Sequence, residues 1–202
     1  MESLKAITGA AIARLTDAYA LTANQRALLD GVNFQITDLG GLILGETNGT
    51  TVVLDQDAAG YGWFIDGTPL DNAEFNRVSA KGELVAGTGS AAAGDMDLLT
   101  VVMHEFGHVL GYGDVDAGSA YLMSATLDDG VRYDAAATDN AARLVVMEAT
   151  DDPQSIAAPL FPAGVSQKNA WLDSWLLNSA DEDDTSDPNA NIKLTLMAKK
   201  AA

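Results

Sequence analysis

Apolar residues at Leu4, Ile7, Ala11, Leu15 and Ala18 keep helical spacing, and Leu21, Leu28 and Leu29 extend it, so residues 3–30 are expected to be helical. Thr22 followed by Gln25 is a candidate capping pair that would split this segment into two helices. Asp30-Gly31 is the stop signal. Residues 32–39 (VNFQITDL) alternate as a strand does, and residues 50–54 (TTVVL) are a β-branched strand. Gly40-Gly41 and Asn48-Gly49 are turn signals between them. Residues 55–72 read as an ordered loop, 74–86 as one more strand or a hairpin, and 87–94 as a loop of small residues. The last is no phosphate loop, because no Gly-Lys-Ser/Thr follows. From Asp95 to Leu110 the period returns to that of a helix. Asp95 or Asp97 is its cap, Leu98, Leu99, Val102, Phe106, Val109 and Leu110 are its apolar face, and Gly111 is its stop. Residues 135–150 and 168–178 predict two further helices, and 181–202 an acidic, mobile tail. The expected class is α+β.

That central helix carries the chain's chemistry. Its two histidines, the whole complement of the 202 residues, are His104 and His108, spaced i and i+4 on one helix face. Glu105 follows the first. Two imidazoles so placed can bind one zinc ion, and the glutamate can act on the water the zinc carries. Catalytic zinc usually takes three protein ligands, and with no third histidine the remaining one must be a carboxylate. Asp114, three residues beyond the turn at Gly111, is the first candidate and Asp116 the second.

Composition narrows the partners. Eleven basic residues face 29 acidic ones, a formal charge of −18, which argues against nucleic acid and anionic membrane surfaces. The absence of cysteine excludes disulfides and a thiolate zinc site. No segment is long and apolar enough for membrane insertion, and the first residues lack a signal-peptide pattern.

His-Glu-x-x-His-x-x-Gly-x-x-Asp, residues 104–114, resembles the metzincin zinc-peptidase signature in the snapalysin-type variant, where aspartate replaces the third histidine. Residues 38–45 (DLGGLILG), 50–69 (TTVVLDQDAAGYGWFIDGTP), 97–111 (DLLTVVMHEFGHVLG) and 122–133 (LMSATLDDGVRY) resemble the matrixin-like peptidase modules of large secreted bacterial proteins. The likeness covers residues 5–134. It implies a catalytic domain over 1–134, with a twisted mixed β-sheet, an active-site helix and a methionine turn at Met123 beneath the zinc. Residues 135–180 would then be helices packed on its lower half. It further implies a secreted or cell-surface zinc endopeptidase in which Glu105 is the general base. The substrate would be a protein or peptide lying extended along an edge strand. No tyrosine stands two residues after Met123, where some metzincins have a further ligand; Tyr133 is instead a candidate for the substrate pocket.

Asp55, Asp57 and Asp66 match part of a calcium-loop pattern, at its first, third and twelfth positions. The bland alternative is a turn whose carboxylates bind backbone amides. For function, the alternatives to a general endopeptidase are a module that processes its own parent chain and a non-catalytic binding module.

Overall fold

The computed structural model describes residues 2–117, 120–135 and 194–199. The described chain is a mixed α+β fold of three helices and small mixed sheets. Helix α1 (Glu2–Tyr19) and helix α2 (Ala23–Asp30) are separated where the capping pair predicts. The Thr22 side chain accepts from the Gln25 backbone, and the Gln25 side chain accepts from the Thr22 backbone. Ile7, Ala11 and Leu15 of α1 are buried, the face that the helical period marks.

Strands β1 (Asn33–Thr37), β2 (Ile43–Asn48) and β3 (Thr51–Asp55) follow. β1 runs parallel to β3, and β2 pairs antiparallel with β3 through the turn at Gly49. β2 is not among the strands expected from the sequence. Its signal, Leu42-Ile43-Leu44, lies between two glycine turns and is interrupted by Gly45. Short pairings then link β4 (Trp63–Phe64) with β7 (Met96–Asp97). The expected hairpin forms from β5 (Arg77–Val78) and β6 (Leu84–Val85).

Helix α3 (Leu98–Val109) is capped by Asp97, whose carboxylate accepts from the backbone and the hydroxyl of Thr100. It is buried from Leu98 to His108, with α1 and β2 packed against it. Leu99, Val102, Met103 and Phe106 join Leu44, Val52 and Leu54 of the sheet and Ile7 and Leu15 of α1 in the main core. A smaller cluster of Phe64, Phe75, Ala86 and Ala92 fills the space under the hairpin.

After α3 come β8 (Thr126–Asp128) and β9 (Val131–Arg132), the latter joining β6. Strand β10 (Leu194–Lys199) completes the main sheet, in the order β1-β3-β2-β10-β8. Here the structure differs from the expected mobile tail over 181–202. Residues 194–199 are paired on both edges, because Ile192 to Met197 is apolar enough to add to a sheet despite the acidic run before it. The helices expected at 135–150 and 168–178 lie outside the described residues. Among those described, no helix is long and apolar enough to cross a membrane.

Candidate metal centre

One face of α3 presents both histidines. Their rings stand edge to face with centroids 4.5 Å apart. Each has one nitrogen already committed. His104 Nδ1 is 2.8 Å from the Leu122 carbonyl, and His108 Nδ1 is 2.8 Å from the Tyr112 carbonyl. A carbonyl can only accept, so each Nδ1 carries the proton and each Nε2 is left with a lone pair. This is the outer-sphere arrangement that fixes the tautomer of metal-binding histidines.

The third group arrives by a chain reversal. Leu110 ends α3, Gly111 takes φ 91°, and the Gly111 and Tyr112 amides return to the His108 and Gly107 carbonyls. The segment then runs beside the turn at Tyr121–Ser124, where the Val115 amide donates to the Met123 carbonyl across 2.7 Å. Asp114 is thereby swung back under the helix. Its Oδ1 lies 3.2 Å from His104 Nε2 and 3.3 Å from His108 Nε2, with 7% of the side chain exposed. Asp116, the other candidate, is exposed.

The three ligand atoms lie within 4.8 Å of one another, close enough to hold one metal ion. All three are buried and none has an aligned hydrogen-bond partner. Buried polar atoms of that kind are costly unless something satisfies them, and two imidazoles with a carboxylate suit a divalent transition metal. The residues present therefore fit a bound cation. Burial alone would raise the Asp114 carboxyl, but the two imidazoles outweigh it and bring it down to about 2. Burial likewise pulls the His108 imidazolium down, and Asp114 with Glu105 more than reverses this, leaving it above its ordinary value.

Glu105, next to His104 in sequence, reaches β2. Its Oε2 accepts from Thr47 Oγ1 across 2.7 Å, while Oε1 is buried without a partner. Gly45 explains the fit: a Cβ there would stand 2.7 Å from Glu105 Oε1. Burial pushes the Glu105 carboxyl up, against the opposing pull of His104, His108 and the Thr47 hydroxyl. Neither Gly45 nor Thr47 could be singled out from the sequence, because each matters only through a neighbour from α3.

Met123 packs on Gly107, where a side chain would collide with its thioether. Tyr133 is 3% exposed in the main core, and its hydroxyl donates to the Thr126 carbonyl across 3.3 Å. Burial and the nearby Glu83 push its phenol up to about 12.

The calcium expectation for Asp55, Asp57 and Asp66 is corrected by the structure. Asp55 accepts from the amides of Leu39, Asp57 and Ala59, and Asp57 from that of Gly60. Asp66 accepts from the Thr68 amide and pairs with the Arg132 guanidinium at 2.8 Å. These oxygens are spent on turns and on an internal cation, so they do not converge as a hard-cation site needs. Among the described residues, the group that could hold a metal is His104, His108 and Asp114.

Arg132 was missed by the sequence reading. It is fully buried and forks onto Asp97 through Nε at 2.9 Å and Nη2 at 2.8 Å, with Phe75 stacked 4.2 Å away. Because Asp97 caps α3, this cation holds the start of the helix that carries the metal group.

Comparisons with protein-family models, with curated proteins and with solved structures find no match.

Proposed function

We propose that this chain is a zinc-dependent endopeptidase of the metzincin type, acting on protein or peptide substrates outside the cell. The observation that carries this reading is the pairing of two groups on one helix. A buried His104-His108-Asp114 cluster with free ligand atoms faces one way, and a buried carboxylate with a free oxygen, Glu105, stands beside it. A structural metal site needs only the first of these. The antiparallel strand β2 above α3 and the turn at Met123 beneath it further support a metzincin-type arrangement.

Zinc bound by His104, His108 and Asp114 would supply Lewis acidity, which lowers the pKa of bound water and polarises a carbonyl. The chain's own residues do the rest. Leu122 and Tyr112 hold the imidazoles in the tautomer that exposes Nε2. Glu105 takes up a proton at Oε1 and returns it to the leaving amine. Its raised pKa suits a group that must first accept and then donate near neutrality. Thr47 holds Oε2, which leaves Oε1 as the carboxylate oxygen without a protein partner.

Metal analysis joined to digestion of an unfolded protein such as casein tests this reading. The expected result is about one zinc per chain with proteolysis, and metal retention in Glu105→Gln with the rate down by about a hundredfold or more. Asp114→Ala should release the zinc and Asp116→Ala should keep it. A chain that holds no zinc, or a Glu105→Gln variant as fast as its parent, would overturn the proposal.

A further inference from the structure

Strand β10 lies where a substrate of the proposed peptidase would have to lie. We propose that this segment, Leu194–Lys199, is an intramolecular occupant of the substrate cleft: the chain blocks its own site with a tethered, substrate-like strand. The inference rests on the peptidase reading for the nature of the cleft, and on the pairing geometry for its occupancy.

Three observations place the segment. First, β10 bridges β2 and β8. It is antiparallel to β2, which touches Glu105, and parallel to β8, which begins just beyond Met123 and Ser124. Second, its register falls on the residues that contact the proposed base. Leu194 is opposite Thr47, the donor to Glu105, and Leu196 is opposite Gly45, whose missing side chain leaves room for Glu105 Oε1. The pairing with β2 shifts between Leu196 and Met197, and from Met197 onward the strand also pairs with β8. Third, the Leu196 side chain is 1% exposed and belongs to the core cluster that contains Leu122, Leu127 and Tyr133. An aliphatic side chain is thus anchored in the apolar core, while pairing holds the strand to β2 and to β8.

Adding a strand to a free sheet edge is how many proteins bind extended peptides, with main-chain bonds giving affinity and side-chain pockets giving choice. Without β10 the edge of β2 would be bare, and a bare edge of a sheet is a template for any strand that reaches it. Tethering favours the chain's own segment, because its effective concentration at the cleft far exceeds that of a dilute substrate. The matching substrate class is an extended segment with an aliphatic residue at the position of Leu196.

Two measurements on the full-length chain test this. In hydrogen exchange, a displaceable occupant opens without the rest of the sheet. Amides of residues 194–199 should therefore exchange at least about a hundredfold faster than those of Val52, Val53 and Leu54, whereas an integral strand would share their protection. Equal protection overturns the proposal. The second measurement uses Leu196→Asp, which puts a charge into the apolar core and should expel the strand. The variant should bind a fluorescent peptide of residues 192–202 that the parent does not bind, and digest casein roughly tenfold faster or more. A folded variant that fails to bind the peptide overturns the proposal. Where the variant does not fold, the exchange result decides. Peptide binding without digestion by either protein would leave the occupancy standing and remove the peptidase reading instead.

Discussion

Met123 lies against Gly107 in the one turn of α3 that separates His104 from His108, and the contact leaves no room for a side chain at 107. A Cβ there would meet Met123 Sδ head-on and stand 2.9 Å from Cε. The thioether thus packs against the backbone of the helix turn between the two histidines.

Gly107→Ala sets two effects against each other. In an exposed helix the change would stabilise by about 1 kcal/mol. Overpacking a buried contact costs about 1–3 kcal/mol, and α3 is buried at this turn. The second effect should win, with a lower denaturant midpoint and weaker zinc binding, since displacement of Met123 disturbs the loop that carries Asp114. A variant more stable than its parent, with unchanged zinc affinity, would mean that Met123 moves aside freely.

Thr47 is a positioning residue for Glu105. Thr47→Val keeps the shape of the side chain and removes the hydroxyl that donates to Oε2. A hydrogen bond to a charged group contributes about 1.5–3 kcal/mol, so the turnover number should fall by roughly ten- to a hundredfold with little change in KM. The hydroxyl also draws the Glu105 pKa down, so its loss should move the acid limb of the pH–rate profile to higher pH. A purely structural role for Thr47 would leave that limb in place.

Proton competition at the metal group gives a signed pH dependence. The metal-free His108 is raised above its ordinary 6.5, so the proton remains bound at a pH where a free histidine has lost it. This proton stabilises the metal-free fold at pH below 6.5 and the contribution disappears as the pH rises through the raised value. Asp114 runs the other way. Its contribution is present above 3.8 and is lost as the pH falls toward about 2. Zinc needs His108 neutral, so affinity should weaken on acidification, beginning above the pKa of an unperturbed histidine. Zinc titrations between about pH 5 and 8 would check this. Constant affinity across that range would exclude His108 from the ligands.

The parts of this structure that were legible in the sequence are those set by neighbours along the chain. The break at Thr22, the cap at Asp97, the stop at Gly111 and the spacing of His104 and His108 are all local, and the structure bears them out. Asp114 was legible as a candidate because the reversal at Gly111 is itself local. Strand β2 was not, since a glycine in its centre lowers every strand signal. Gly45 is there because Glu105 approaches from another element. Met123 owed its prominence to the family likeness, but its partner Gly107 did not stand out. The three aspartates of the candidate calcium loop misled for the same reason. Their spacing suggested a cation, and Asp66 does meet one, the guanidinium of Arg132.

Arg132 is the place where stability and the proposed chemistry meet. It holds Asp66 and Asp97 together without solvent, and donates from Nη1 to the Asp71 carbonyl at 3.1 Å. Removing one partner of a buried ionic cluster strands the others, at a typical cost of about 3–5 kcal/mol. Arg132→Ala should therefore unfold at a markedly lower denaturant concentration. Arg132→Lys should fall between the two, because an ammonium keeps the charge but cannot fork onto the Asp97 carboxylate. Loss of the pair also loosens the cap that orders the first turn of α3, so zinc affinity should decline in the same order. Calcium in excess should leave the parent's melting temperature unchanged, since Asp55, Asp57 and Asp66 do not converge into a group that could hold it. An Arg132→Ala variant as stable as its parent would show that Asp66 and Asp97 reach solvent, and that the guanidinium is not what holds the helix in place.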